Sequence, residues 1–354
     1  MSKEIVAQNR TVMIGVDVHT RSHVVAVKVG REIVDRCTLS PAPKAWQTYM
    51  KKFPGCEVHV IYESGPQGYN LHDWLEQMKG QEGQAIFVYI APPAMIPQAP
   101  GKKRVKTDRR DSVRLIQAFE SGSFRPVVVP DKATRAEREL VRTRDQAKKD
   151  ARRLKCRIHG FVKFHGVMYP PFTQWTDEWE RELLSNAKAV DPTGDLHFTL
   201  KAKFRMLRDT EKVVASIEKR IDRLYRSGAC SKLAQRIMEH KGIGKTTAVV
   251  IATEVADFKA FDNSDAFASY TGLVSGARGT GDTMHQGPIT KEGNRRLRWV
   301  FVECAWVWVR CDPAAALKFE RLKAKRGTRK AIVAMARRLA VRVYHHVVSE
   351  AQAA

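Results

Sequence analysis

The sequence predicts an α/β domain, a helical middle and a mostly α-helical last third, with boundaries at 1–125, 126–230 and 231–354. Three observations predict this. Strand-like and helix-like patterns alternate between residues 11 and 92, the mark of a sheet covered by helices. Two long, highly charged helical stretches follow. A glycine-rich segment, 271–298, then interrupts a further series of helices.

Residues 11–29, TVMIGVDVHTRSHVVAVKV, read as two strands joined by a polar turn, because Val12, Ile14 and Val16 alternate with Met13, Gly15 and Asp17 and the second half is rich in β-branched residues. Residues 44–53 and 68–79 read as helices. EVHVIYES (57–64) and AIFVYIAP (85–92) read as further strands of a mixed sheet. The basic stretch GKKRVKTDRRD (101–111) opens a helix that runs to about Glu120 and stops at Gly122, and Pro126 and Pro130 mark a linker.

A charged helix is expected from Lys132 to about His165 and a second over 201–227. The second places Phe204, Leu207, Val214, Ile217, Ile221 and Leu224 at spacings of three, four and seven, so the two could pair as a coiled-coil arm. Residues 170–200 read as irregular, with Trp175, Trp179 and Phe198. The last third opens with a helix over 231–240 and continues into KGIGKTTAVVIATEV. Helices over 294–310 and 328–350 close the chain.

Lys and Arg number 62 against 38 Asp and Glu, giving a net charge of +24 and a pI of about 10.0. The surplus is +5 over residues 1–120, +9 over 121–230 and +10 over 231–354, so it is spread along the chain. That distribution favours a polyanion lying across several segments, nucleic acid first and an anionic membrane second. The most apolar stretch, Trp299–Val309, is short and contains Glu303, whereas a membrane span needs about 20 apolar residues. MSKEIVAQNR lacks the apolar run of a secretory signal. The six cysteines (37, 56, 156, 230, 304 and 311) form no C-x-x-C pair, which argues against a zinc knuckle and a disulfide framework. A reducing, prokaryotic cytoplasm near the nucleoid is the expected location.

Four acids in the first domain carry chemistry. Asp17 ends one strand in GVDVH and Glu63 another in VIYES. Asp108 and Asp111 lie three apart, on one helix face. Four carboxylates are what two Mg²⁺ ions need, since this hard cation takes oxygen ligands. Two such ions ~4 Å apart can activate an attacking oxygen and stabilise a leaving one in phosphodiester cleavage. Carboxylates are ordinarily surface residues. Asp17, however, has apolar strand flanks, and a buried carboxylate is costly unless paired or metal-bound.

In the last third, HKGIGKTTAVV invites a phosphate-loop reading, but the first glycine of that motif should stand where Glu239 is. A helix-hairpin-helix with Gly242-Ile243-Gly244 as its turn fits better. Its backbone N–H groups and Lys245 would hold a phosphate; a plain packing turn is the alternative. Arg295, Arg296 and Arg298 follow Gly293-Asn294 at an expected helix start and suit phosphate contacts, with Arg278 and Lys291 nearby. Glu303, among Trp299, Phe301, Trp306 and Trp308, could be a core acid or could polarise a neighbour.

The arrangement of acids resembles the RuvC-like, ribonuclease-H-type nuclease domain. GVDVHTRSHVVAV, YESGPQGYNLHDWL and KTDRRDSVRLIQ resemble, more closely, the DEDD insertion-sequence transposases, a family that includes the Piv invertases and bridge-RNA-guided recombinases. The segment FASYTGLVSGARGTGDTMHQGPITKEGNRRLRWVFVECAW resembles the C-terminal domain of the same enzymes. The resemblance implies a DNA transposase or site-specific recombinase with duplex DNA and a guide RNA as partners, acting as a dimer or tetramer. It implies metal ligands Asp17, Glu63, Asp108 and Asp111. It also implies a nucleophilic serine in the glycine-rich loop, which attacks a DNA phosphodiester while the acidic domain completes a composite site. Ungapped alignment of GLV and ITK-x-GN puts Thr280, followed by Gly281, at that serine position. Threonine keeps the hydroxyl, but its methyl group restricts χ1. Ser275, the one serine of the loop, stands five residues earlier and is the second candidate. A metal-dependent nuclease of the junction-resolvase type and a non-catalytic basic nucleic-acid-binding protein are the rival readings.

Overall fold

The computed structural model describes residues 10–65, 67–93, 96, 108–280 and 283–350. The chain divides into two compact units, Met1–Val129 and Pro130–Ala354. The expected middle segment is therefore part of the second unit, where its helices share a core with the last third.

The first unit is a five-stranded mixed sheet. Its strands are β1 (Thr11–Val18), β2 (His23–Val29), β3 (Glu32–Leu39), β4 (Glu57–Glu63) and β5 (Ala85–Ala91), in the order β3-β2-β1-β4-β5. β1, β2 and β3 form an antiparallel meander, while β4 and β5 run parallel to β1. β3 was not legible in sequence. As an edge strand it alternates exposed and half-buried residues, and EIVDRCTL carries three charges.

Strand alternation sorts the side chains onto two faces. Val12, Ile14 and Val16 of β1 join Val58, Val60 and Tyr62 of β4 in a core closed by Trp46, Tyr49, Leu71 and Leu75, which come from α1 (Pro43–Met50) and α2 (Asn70–Met78). The other face, with Met13 and Ile61, packs on Leu115 and Ala118 of α3 (Asp108–Glu120).

The second unit begins with α4 (Lys132–Phe164), N-capped by Asp131, whose carboxylate accepts from the Thr134 amide. It pairs with α6 (Asp195–Ser227). Ion pairs Arg144–Glu218 and Lys155–Glu211, with Glu137 accepting from the amides of Ala229 and Cys230, give the pair an antiparallel register. Between them lies α5 (Asp177–Ala189), in a stretch that sequence reading left irregular. Thr176 caps it, and Trp179, Leu183 and Ala187 pack on Leu200, Phe204 and Leu207. The charged surface of this stretch hid a helix whose narrow apolar face is Trp179, Leu183, Leu184 and Ala187.

Helices α7 (Ser231–Met238) and α8 (Lys245–Val255) follow, joined by the Gly242 turn. Then come α9 (Ser264–Tyr270), strands β6 (Ser275–Thr280) and β7 (Thr283–Ile289), α10 (Arg295–Cys311), α11 (Pro313–Arg326) and α12 (Thr328–Glu350). α8 is buried on every side from Ala248 to Val255, so it is the central helix of this core. No described helix is long and apolar enough to cross a membrane, and the six cysteines are free thiols.

Candidate active site

Gly15 positions the acids of the first unit. A Cβ there would lie 1.9 Å from the Ser112 carbonyl oxygen and 3.0 Å from Ile116, so only glycine lets α3 approach β1 this closely. Farther along α3, Glu120 accepts from Lys28, which is paired with Met13. The helix thus runs antiparallel to β1, from Glu120 beside Met13 to Ser112 beside Gly15. Two strand residues beyond Gly15 is Asp17, ~6.6 Å on. Four helical residues before Ser112 is Asp108, ~6 Å on in the same direction. The first turn of α3 therefore lies level with Asp17.

Glu63 joins them from β4. Val16 and Tyr62 are paired across the parallel ladder, and the next residues along are Asp17 and Glu63. Both are odd-numbered, on the α3 face of the sheet. Asp17 and Asp111 are each 20% exposed, enough to meet solvent or a ligand. Asp17 contacts His19 Nε2 at 3.2 Å, and Asp111 accepts from Arg114 at 3.0 Å. Acids in a first helical turn are also favoured by the helix dipole. The side chain of Asp108 lies outside the described residues, as does Thr107 before it. Among the described residues, no group of three or more His, Cys, Asp or Glu side chains is close enough to hold a metal ion.

Sequence reading missed the support behind Asp17. His23 is fully buried in β2. Trp46 Nε1 donates to its Nδ1 at 2.9 Å, so its proton sits on Nε2 and is donated to Gln67 Oε1 at 3.1 Å. Gln67 then donates to the His19 carbonyl at 2.5 Å, tying down the turn that follows Asp17. Burial holds the imidazole below its usual pKa, opposed by the Gln67 bond. The usable signal was a histidine opening a valine-rich strand.

In the second unit, the glycine-rich loop is an antiparallel ribbon. β6 and β7 pair from Ser275↔Ile289 at the base to Thr280↔Thr283 at the far end, with a bulge between Ser275 and Ala277. Ser275 and Thr280 are therefore at opposite ends of the ribbon, ~16 Å apart along the strand. A single phosphate can meet one of them, not both. Ser275 is exposed; the side chains of Arg278 and Thr280 lie outside the described residues.

The base of the ribbon is anchored at both ends. Thr290 N–H donates to the Val274 carbonyl, and Asn294 N–H to the Tyr270 carbonyl. Gly293, at φ +92°, passes so close to Tyr270 that a Cβ would meet its carbonyl oxygen at 2.4 Å. Lys291, at φ +58°, is an exposed lysine in the left-handed region, a strained conformation at the ribbon exit. Asn294 caps α10, accepting from the amides of Arg296 and Leu297.

Asn294 also donates to Glu254 Oε2 at 3.0 Å. Glu254 is the second residue that sequence reading missed. Its side chain is 1% exposed, and it accepts two bonds from Arg142 of α4 (2.8 and 2.9 Å) and lies 3.2 Å from Arg296 Nε. Burial alone would raise its pKa; the hydrogen bonds from Arg142 and Asn294 and the nearby arginines more than offset this and hold it below the usual range. Arg296 is also bonded to Asp145 of α4, so its guanidinium is engaged within the protein. Arg295 is exposed, and Arg298 is half-buried against the Gly272 turn, its Nη1 lacking a hydrogen-bond partner. Lys245 lies 3.5 Å from Asp222 and over the Tyr225 ring. Gly242, at φ +91°, touches the α10 backbone, where a Cβ would meet Trp308 N at 2.7 Å. That close packing is the structural reason for this glycine. Glu303 is on the exposed face of α10, outside the core.

Two family models match the chain over these same elements. A transposase model, DEDD_Tnp_IS110, matches residues 14–166, from β1 through α4. The model described as the transposase IS116/IS110/IS902 family matches residues 234–320, from α7 into α11. Over both stretches the chain is similar to transposases of the IS110 family. Among relatives of the family, a putative transposase, y4qE, of Sinorhizobium fredii is 34% identical over 252 residues, 71% of this chain and 58% of that protein. A second from the same organism, y4rJ, is 29% identical over 314 residues, 81% of this chain and 76% of that protein. The transposase for insertion sequence element IS1533 of Leptospira borgpetersenii is 24% identical over 263 residues, 72% of each chain. The first of these alignments spans less than two thirds of its relative. The family models cover all four acids and both hydroxyl candidates.

Proposed function

We propose that this chain is an IS110-family DNA transposase that cuts and rejoins DNA through the carboxylates of its first unit and the Thr280 hydroxyl of its second. The observation that carries the reading is the strand register and the Gly15–Ser112 approach, which put Asp17, Glu63 and the first turn of α3 toward one end of the sheet. The donors are all oxygen, the set a hard divalent cation such as Mg²⁺ prefers, and Asp17, Glu63, Asp108 and Asp111 would hold it. Such a cation, when bound, supplies Lewis-acid stabilisation of charge on phosphodiester oxygens.

The chain's own groups do the rest. Gly15 sets the helix against the strand, and the His23–Gln67 relay fixes the turn beside Asp17. Thr280 is at the end of the ribbon farthest from the anchored base, where a DNA backbone can reach it. Its oxygen forms a bond to phosphorus as the bond from phosphorus to a sugar oxygen breaks. The threonine proton leaves, and the departing sugar oxygen gains one, giving a phosphothreonine ester and a free hydroxyl. Arg295, Arg298 and Lys291 follow the ribbon and Arg278 belongs to it, a set of cations suited to phosphates. The Gly242 turn with Lys245 would act as a helix-hairpin-helix phosphate contact. A guide RNA beside duplex DNA, and a dimer or tetramer as the active form, complete the reading.

The test is recombination of a plasmid that carries the DNA flanking this chain's own reading frame. Asp17→Asn and Thr280→Ala are each expected to cut recombinant product about a thousandfold, ~4 kcal/mol of barrier. Full recombination by both variants contradicts the reading.

A further inference from the structure

We propose that the groove between α11 and α12 holds an unpaired stretch of the DNA on which this protein acts. The inference rests on the DNA reading above and extends it to a surface that the carboxylates and the ribbon do not use.

The groove has a volume of about 710 Å³, and Lys318, Arg326, Arg337, Arg338 and Arg342 line it. Arg337 pairs with Asp265 at 2.9 Å. The other four are exposed and form no ion pair among the described residues. One acid, Asp312, is among the lining residues, and it is engaged inward. It caps α11 by accepting from the amides of Ala314 and Ala315, and it accepts from Trp308 Nε1 at 3.0 Å. Five cations that share one groove with a single carboxylate leave a net positive charge there, and like charges within about 10 Å are poorly screened at ordinary salt. An anion relieves that cost.

The helix dipole favours Arg326, in the last turn of α11, but it does not explain the cations of α12. The first turn of α12 carries Arg329 and Lys330 and no acid, the opposite of what the helix dipole favours.

The floor decides which form of nucleic acid fits. Leu322, Ala334, Met335 and Val341 make it apolar. A duplex hides its base faces and would offer this floor only sugar and phosphate. An unpaired strand lays bases on the apolar surface and phosphates on the cations. Arg342, whose guanidinium lies 5.3 Å from the Trp308 ring centre, adds a planar cation on which a base can stack. DNA is the strand chosen because it is the substrate of the proposed reaction.

The experiment measures binding by the full chain to oligothymidine of about 16 nucleotides, to oligouridine of the same length and to a blunt DNA duplex. The variant combines Lys318→Ala, Arg326→Ala and Arg338→Ala, three exposed side chains whose removal should leave the melting temperature unchanged. Oligothymidine affinity is expected to fall at least about tenfold. The slope of log affinity against log salt should shrink by about 2, at about 0.7 for each phosphate no longer neutralised. Arg338→Ala alone should remove about 0.7 of that slope, and duplex affinity should change less than about twofold. Wild-type binding of oligothymidine by the triple variant overturns the proposal. So does an equal fall in affinity for the duplex, or a larger fall for oligouridine. A wild-type chain that binds none of the DNA probes overturns the underlying DNA reading as well.

Discussion

A methyl group at position 15 would sit inside the Ser112 carbonyl, and nothing in the backbone of a helix can retreat from it cheaply. Gly15→Ala is expected to destabilise the first unit by about 1–3 kcal/mol, measured by denaturant unfolding. It should also lower recombination by more than the unfolded fraction explains, because α3 carries Asp108 and Asp111 away with it. Titration of His240 is a second consequence of packing. Burial, with His346 and Arg342 nearby, lowers its pKa to about 4, against the pull of Glu239. Between its ordinary value near 6.5 and about 4, the unfolded chain takes up a proton that the folded chain refuses. Stability is therefore full above that interval and falls as pH drops through it. Unfolding midpoints at neutral pH and near pH 5 should show this decline, and His240→Asn should flatten it.

Among the elements, the α4–α8–α10 junction turns on one carboxylate. Glu254 holds Arg142, Arg296 and Asn294 together, and Asn294 caps α10 at the ribbon's base. Glu254→Ala takes a carboxylate from Arg142 and from the half-buried Arg296, which keeps Asp145, and is expected to cost ~3 kcal/mol by denaturant unfolding, the low end for such a change because Arg142 stays open to water. Glu254→Gln, which keeps an acceptor for one arginine and the shape of the site, should cost less. Because this carboxylate's pKa is lowered, its contribution is present above the usual carboxylate range and disappears as pH falls through the lowered value. The same elements show what sequence reading could reach. β1, β2, β4, β5 and the long helices were legible because their apolar periodicity is strong. β3, α5, α9, α11 and the β6–β7 ribbon were not, because they are short, charged or glycine-rich. Their conformation depends on tertiary partners such as Leu200 beneath α5 or Val274 and Tyr270 at the ribbon base.

At the scale of the whole chain, the four acids proposed as a set stand out in the sequence because each is at a strand end or in one helical turn. Gly15, which meets Ser112 in space though far from it in sequence, was the hidden device that sets α3 against β1. His23, Gln67 and Glu254 were not legible, since a buried polar residue reveals its role only through partners distant in sequence. The net charge of +24 fits a protein that holds a polyanion along both units, and it does not by itself distinguish cutting from binding. A covalent intermediate does. The most direct test is to incubate end-labelled DNA from beside this reading frame with the full chain and Mg²⁺, and then separate the products under denaturing conditions. The account predicts a labelled band at the mass of protein plus DNA. It should vanish in Thr280→Ala and in Asp17→Asn, and persist in Thr280→Ser and Ser275→Ala. An adduct that persists in Thr280→Ala, or recombination with no adduct in any variant, contradicts it.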